Sequence, residues 1–581
     1  MTSGLVQIVS YGSEDLYLTG NPEITYFKTV YRRYTNFAME NVEVQFDDEV
    51  NFDRTSIVSL PTSGDLIHKV YLKLVIPSFY VTREIDPVAK AAAYANYVST
   101  LSEYATCWTF MYVNMQAYRL AYEVYSASNI TSYEPIQAAV FQTFGNASRN
   151  VGYTPNSGNN SEDENVRATN DFYTLVGNFS GYSVDTMSMD VIAYSFVYNS
   201  PDPEGKSSKE RIFSSLRIGM LNSQRFLQTV YNYHQAAYNT YQEFLLTNRK
   251  FAWVDYLGHS IINYIEVSIG GDVIDKHYGD WINIWYELTK NVHMENIYNK
   301  MIGNVSTLTT YDRTTKPSYT LLIPLQFWFC RNNGMAIPIV SMQFMNVSLN
   351  LKLKKFSECS YIELADGESS FNLDDEYEDQ DLSINGSLLI DYIYLDLQER
   401  KKFAQSSHEY LIEQLQIFSE EDISSQDYQF DISFNNPCEE LIWVLQRKSF
   451  ITNSTGATKC LWNNYTYSSS GEGISITSAH VELNGINIIE DMPGEFFNYL
   501  IPYKVHTSSP TDGIYVYTFA LKPEEHQPSG SCNLSRIKKA NLIVVIKNSM
   551  FTSGDTVNFR TYARSYNILR FASGMAGLAF V

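Results

Sequence analysis

Apolar and polar positions alternate along much of the chain. Val70, Leu72, Leu74 and Ile76 alternate up to Pro77, which ends the run. Ile265, Val267 and Ile269 alternate into Gly270-Gly271, a turn pair that predicts a reversal into Val273-Ile274. Val347, Leu349, Leu351 and Leu353 keep the same period, as do Tyr428, Phe430, Ile432 and Phe434. Val481 and Leu483 lead into Asn484-Gly485, the strongest short hairpin signal, because both turn positions need φ > 0. The runs from Ile514 to Leu521 and from Leu542 to Ile546 are nearly all apolar, as expected of strands covered on both faces. Many short strands with turn punctuation predict sandwiches or barrels rather than βαβ units.

Two stretches break the alternation. Val88, Ala91, Ala95, Val98, Leu101, Ala105, Trp108, Tyr112, Met115, Tyr118 and Tyr122 recur at helical spacing. Ile212, Leu216, Met220, Leu227, Val230, His234, Tyr241 and Leu245 do the same. Between them, the polar run from Thr154 to Glu164 reads as a loop tip, and Pro201 to Gly205 as another loop. A partly helical block, about 79–254, is therefore expected as an insertion in a β-framework. A second special segment, 363–381, is crowded with carboxylates. Its spacing fails the calcium-loop pattern for want of the required Gly, so a solvated acidic loop is expected.

Composition narrows the function. The 581 residues exceed one ordinary domain. Tyr and Phe, 45 and 32 in number, suit half-buried pleated surfaces and protein contacts. A net charge of −22 with no basic stripe argues against nucleic-acid binding, which rests on Lys and Arg meeting phosphates. Cys107, Cys330, Cys359, Cys438, Cys460 and Cys532 are scattered without metal-type pairing, and reduced thiols are expected rather than a disulfide framework. The N-terminal residues lack the basic and apolar regions of a signal peptide, and no apolar stretch is long enough for a membrane span. A soluble, intracellularly made protein is expected.

Motifs for catalysis break at necessary residues. His408-Glu409 begins like a zinc-protease helix, but Ile412 replaces the second ligand. Gly258-His259-Ser260 begins like a nucleophile elbow, but Ile262 replaces the closing Gly. Asp272, Asp275, His277 and Asp280 could gather a metal; Gly279-Asp280 reads better as a helix start with Trp281, Trp285 and Leu288 buried. No enzyme, cofactor or metal is expected. Asn129, Asn146, Asn159, Asn178, Asn304, Asn385, Asn453 and Asn464 sit in Asn-x-Ser/Thr triplets, candidate glycosylation sites that carry little weight in an Asn-rich chain made outside the secretory route.

Several long segments share a resemblance. Tyr11 to Phe37 (YGSEDLYLTGNPEITYFKTVYRRYTNF), with Gly20, Asn21, Pro22, Arg32 and Arg33, resembles the opening of major capsid proteins of nucleocytoplasmic large DNA viruses. Glu266 to Trp281, with Gly270, Gly271, Asp275 and His277, resembles that family's hairpin-and-helix segment. Leu325 to Leu351 is similar to the strands that follow. Tyr394 to Gln416, with Gln398, Glu399, Arg400, His408 and Glu409, resembles its link between two jelly rolls. Asn498 to Arg536 (Pro502, Pro523, Gln527, Pro528, Gly530, Arg536) and Tyr562 to Leu578 (Gly574, Gly577) complete the set.

The resemblance implies a mainly β double jelly roll, two tandem eight-stranded sandwiches. It implies an arm (1–24) at the inner capsid face, a first jelly roll (25–398) carrying the insertion and the acidic loop, and a linker with second jelly roll (399–581). It further implies a homotrimer forming a pseudo-hexagonal capsomer. Such capsomers tile the outer shell of the virion over an internal membrane, meet minor capsid proteins inside, and assemble in the host cytoplasm. A scaffold paralogue, or a carbohydrate-binding jelly roll, are the alternatives weighed against it.

Overall fold

The computed structural model describes residues 19–29, 31–83, 85–104 and 208–580. Met1 to Leu18 of the expected arm, the helical spacing beyond Tyr104, the Thr154–Glu164 tip, the Pro201–Gly205 loop, and Asn129, Asn146, Asn159 and Asn178 lie outside the described residues.

Ten strands form the first unit. They are β1 (Phe37–Gln45), β2 (Thr55–Ser59), β3 (Leu66–Ile76), β4 (Phe251–Trp253), β5 (Ile262–Ile269), β6 (Asp272–Tyr278), β7 (Tyr319–Pro324), β8 (Val347–Leu353), β9 (Ser360–Ile362) and β10 (Asn385–Leu395). One sheet runs β1-β10-β3-β7 and faces another running β2-β8-β5-β6, while β4 and β9 pair at one end. Every pairing is antiparallel. The alternation specifies the register. In β8, Val347, Leu349, Leu351 and Leu353 are buried and the residues between them half-buried. A one-residue slip would turn all four outward, at roughly 1.5–3 kcal/mol each. Gly270 and Gly271, at φ 63 and 96, make the two-residue β5–β6 turn with Ile269 opposite Asp272.

The second unit has β11 (His408–Ile423), β12 (Asp427–Asp431), β13 (Pro437–Arg447), β14 (Ile476–Leu483), β15 (Ile486–Asn487), β16 (Met492–Pro493), β17 (Ile514–Thr518), β18 (Cys532–Asn533), β19 (Ala540–Ile546), β20 (Val557–Ala572) and β21 (Met575–Leu578). A sheet running β11-β20-β13-β17, with β18 and β21 attached, faces one running β12-β19-β14-β15, with β16 attached. The Asn484-Gly485 turn joins β14 to β15 with both residues at positive φ, as the sequence predicts. Each unit is a two-sheet sandwich around its own apolar core, and the linker between them is the helix Leu397–Gln405.

The insertion leaves after β3 and returns at β4. Among its described residues, 87–104 and Ser208–Leu245 are helical, as their spacing predicts. The chain leaves and re-enters as a tight antiparallel pair. Arg83 N–H donates to the Thr247 carbonyl at 2.8 Å, Arg249 N–H to that of Val81 at 2.7 Å, and Thr82 bridges Asn248. The acidic segment departs from a simple loop. Leu373–Asp379 is a helix, because Leu373 and Tyr377 bury one face and the Asn372 side chain accepts from Asp374 N–H as its cap.

Candidate functional site

The site of interest is the seam where one sandwich docks on the other. The helix Gly279–Thr289 follows β6 in the first sandwich and is buried along nearly its whole length. It lies on the outer face of the second sandwich's six-stranded sheet. There Trp281, Ile284, Trp285 and Leu288 pack with Ile442, Val444, Ile514, Val516 and Tyr562. This explains the continuous apolar runs of β13 and β17. Leu441, Trp443 and Leu445 face the second core, while Ile442 and Val444 face the helix.

Polar contacts fix the docking. Asp275 Oδ1 accepts from Leu415 N–H of β11 at 3.0 Å, and the Gln414 side chain donates to the Ile274 carbonyl. His277 Nε2 stands 3.1 Å from Asp275 Oδ2, its ring stacked on Phe327. Asp280, buried at the helix start, accepts from the Tyr562 hydroxyl at 2.7 Å and pairs with Arg560. Burial pushes the Asp280 carboxyl up, yet Arg560 and these hydrogen bonds outweigh it and hold its pKa below the usual range.

Beside the helix lies a buried ionic cluster. Arg564 of β20 stacks on Trp285 at 4.2 Å. Its guanidinium meets Glu440 Oε1 at 2.6 Å, Glu413 of β11, and Glu439 Oε2 at 3.3 Å. His506 Nε2 lies 3.1 Å from Glu440 Oε2 and its Nδ1 2.9 Å from Glu524 Oε1. The first sandwich adds Arg331, 2.9 Å from Glu413. Desolvation opposes charge on every member, but the partners decide the sign. His506 is raised to about 9 because Glu440 and Glu524 outweigh its burial. Glu440 is lowered to about 2 because His506 and Arg564 outweigh burial. Glu439, for which Arg564 is too far to compensate burial, is pushed up to about 7.

The two sandwiches also meet at both strand ends. At the end carrying the insertion, the second sandwich reaches over β4 and β9. Ile362 N–H donates to the Gly456 carbonyl, Trp462 Nε1 to that of Asp255 at 2.9 Å, and Lys459 pairs with Asp255. At the opposite end, the Phe344 N–H donates to the Gly574 carbonyl, and Met345 Sδ, packed under Gly270, accepts from Ala576 N–H. The arm enters β1 at this end.

The residues singled out in the sequence divide among these places. Asp275, His277 and Trp281 meet at the seam. Gly270, Gly271 and Gly574 make turns at the arm's end of the strands, and Gly577 lies on β21 beside Arg570. Arg400 of the linker helix pairs with Asp65, Gln398 is exposed and Glu399 half-buried. His408 opens β11 with its ring against the Phe403 carbonyl, and Glu409 pairs with Arg570. Pro502 starts the helix Ile501–Val505, and the Pro523 carbonyl accepts from Arg564. Gln527, Pro528, Gly530 and Arg536 are exposed, as are Gly20, Asn21 and Pro22 of the arm and Arg32 and Arg33 ahead of β1. Of the sequons, Asn453 and Asn464 commit the amide nitrogen a glycan would need to backbone carbonyls, and that of Asn304 goes to Asn299. Asn385 is exposed at the start of β10. The ionic cluster was missed. Its one signal is the pair Glu439-Glu440 inside an otherwise apolar strand.

Comparison with known proteins agrees with this geometry. The family described as large eukaryotic DNA virus major capsid protein matches residues 399–577, and major capsid protein N-terminus matches 25–120 and 204–396. The stretch left unmatched between those two blocks falls within the insertion. The major capsid protein of Phaeocystis pouchetii virus is 28% identical and that of Pyramimonas orientalis virus 29%, each over the whole of both chains. Among solved structures, the Faustovirus major capsid protein superposes with a TM-score of 0.57 at 10% identity, covering 97% of this chain and 94% of its own. The PBCV-1 virus capsid chain superposes at 0.54 with 21% identity, covering 96% and 100%. Both share the double jelly-roll fold found here. The two family matches fall one on each sandwich, and the chain belongs to the major capsid protein family of large eukaryotic DNA viruses.

Proposed function

We propose that three copies of this capsid protein close into a pseudo-hexagonal capsomer that tiles an icosahedral shell. The observation that carries this is the pairing of two similar sandwiches, joined through one buried seam with their strand ends level at both ends. One subunit thus offers two comparable blocks, and three-fold closure gives six from one gene product. The insertion, which leaves after β3 and returns to β4 at one end, forms the outward surface in this reading. The opposite end, with the linker helix and the arm, faces inward.

The stretch that leads from the arm into β1 supports contacts there. Tyr26, Phe27, Tyr31 and Tyr34 are more than four-fifths exposed, a density of aromatic surface that suits minor capsid proteins as partners. The charge of −22 does not suit direct genome contact. No described helix is long and apolar enough to cross a membrane, and an internal membrane under the shell would be met only peripherally. Assembly in the host cytoplasm and an outer-shell location complete the reading. The test is the mass of the chain expressed alone, by light scattering. A trimer is expected, and a well-folded monomer at shell-forming concentration overturns the capsomer.

A further inference from the structure

We propose that the ionic cluster between the jelly rolls is a proton-linked joint, which holds the two sandwiches together while it keeps one extra proton and loosens when that proton leaves. Counting charge across the contacts gives the first argument. In close contact, four carboxylates, Glu413, Glu439, Glu440 and Glu524, face three cationic side chains, Arg331, Arg564 and protonated His506, while the partly exposed His526 stands off at 4.0 Å from Glu413 and is left out of the count. With every acid ionised the cluster carries one uncompensated negative charge in a site shielded from water. A buried unpaired charge is strongly destabilising, so the closed joint favours the state in which one acid is neutral.

Geometry identifies that acid. Glu413 and Glu440 each have a guanidinium within hydrogen-bonding distance, and Glu524 accepts from Thr507 N–H at 2.7 Å. Glu439 is fully buried, its nearest cation is 3.3 Å away and shared with two other acids, and neither of its oxygens accepts a well-formed hydrogen bond among the described residues. The groups facing the cluster come from every element around it. They are Glu413 of β11, Glu439 and Glu440 of β13, and Arg564 with the Tyr566 hydroxyl of β20. The segments after the helix Ile501–Val505 and after β17 add His506, Glu524 and His526, the last 4.0 Å from Glu413. Arg331 comes from the first sandwich, with Asp275 and His277 just beyond on β6. A small cavity, lined by Trp281, Trp285, Arg331, Glu413 and Arg564 and with room for about one water molecule, adjoins the cluster and gives water a place to enter when the joint opens.

The direction with pH follows. Glu439 is raised to about 7 in the closed state from the ordinary 4.5 of a free glutamate, so opening releases its proton between those limits and becomes easier as pH rises. His506 keeps Glu440 and Glu524, which lie on its own sandwich, whether the joint is closed or open, so Glu439 sets the direction and the joint is tightest in mild acid.

The test is hydrogen exchange in the full chain, read on the helix Gly279–Thr289 and on β11. In the wild type, exchange at these segments should rise about tenfold per pH unit between about pH 5 and 6.5, beyond the intrinsic base-catalysed rise seen in the core strand β19. Glu439→Gln should abolish that excess. Equal pH slopes in wild type and E439Q overturn the proposal. Should E439Q fail to fold, the infrared band of a protonated buried carboxyl in the wild type decides. Its presence near pH 5.5 and loss by about pH 8 supports the joint, and its absence throughout overturns it.

Discussion

Gly279 opens the seam helix where a methyl group would stand 2.2 Å from the His259 carbonyl oxygen and 2.4 Å from that of Ile262. Both neighbours are backbone, so neither can swing aside. Gly279→Ala is expected to cost roughly 3 kcal/mol or more, read as a lowered urea midpoint at unchanged m-value. At this scale the sequence was informative where chemistry and position coincided. Asp275, His277, Trp281 and Gly279 stand together in one segment, and their density marked it. Arg564 did not stand out, since an Arg in an alternating strand ordinarily faces water. Its partners lie 124 and 151 residues away, and only the docking of Trp285 over it makes the face dry.

Elements were legible to the extent that their own period defined them. Both hairpins follow from their turn residues, and the run in β17 rightly predicted cover on both faces, whereas that in β19 did not, since Ile543 and Val545 stay half-buried on the side away from the core. What covered β17 was hidden, because the helix Gly279–Thr289 belongs to the other sandwich. The Leu373–Asp379 helix was hidden for another reason. Its acidic residues dominate the composition, while only Leu373 and Tyr377 reveal an inner face. Strand β13 carries a testable dependence on acid. Glu440, depressed to about 2 in the folded chain, contributes stability that is complete above about 4.5 and lost as pH falls through 2. Glu440→Gln strands His506 and Arg564 without their shared partner and should cost about 3–5 kcal/mol at pH 6. It should also flatten the acid limb of a thermal-midpoint series against pH, and an acid limb parallel to wild type would contradict the pairing.

At the scale of the molecule, the two sandwiches and their order were readable, through strand periodicity and through family segments distributed along both halves. Their mutual docking was not, since a seam of side chains from two distant stretches leaves no periodic trace in either. The splice at Val81–Arg83 and Thr247–Arg249 has a consequence beyond architecture. Val81 and Arg83 pair there with Arg249 and Thr247, so the described framework closes on itself where the insertion leaves and returns. Excising residues 85–245 and bridging the gap with a short Gly-rich turn should leave the thermal midpoint of the double sandwich and the number of copies per capsomer, counted by light scattering, unchanged; loss of folding would show that the insertion braces the framework. On the proposed capsomer, a lineage built on this splice could exchange its outward surface while keeping the two sandwiches, so that display and enclosure evolve on separate clocks.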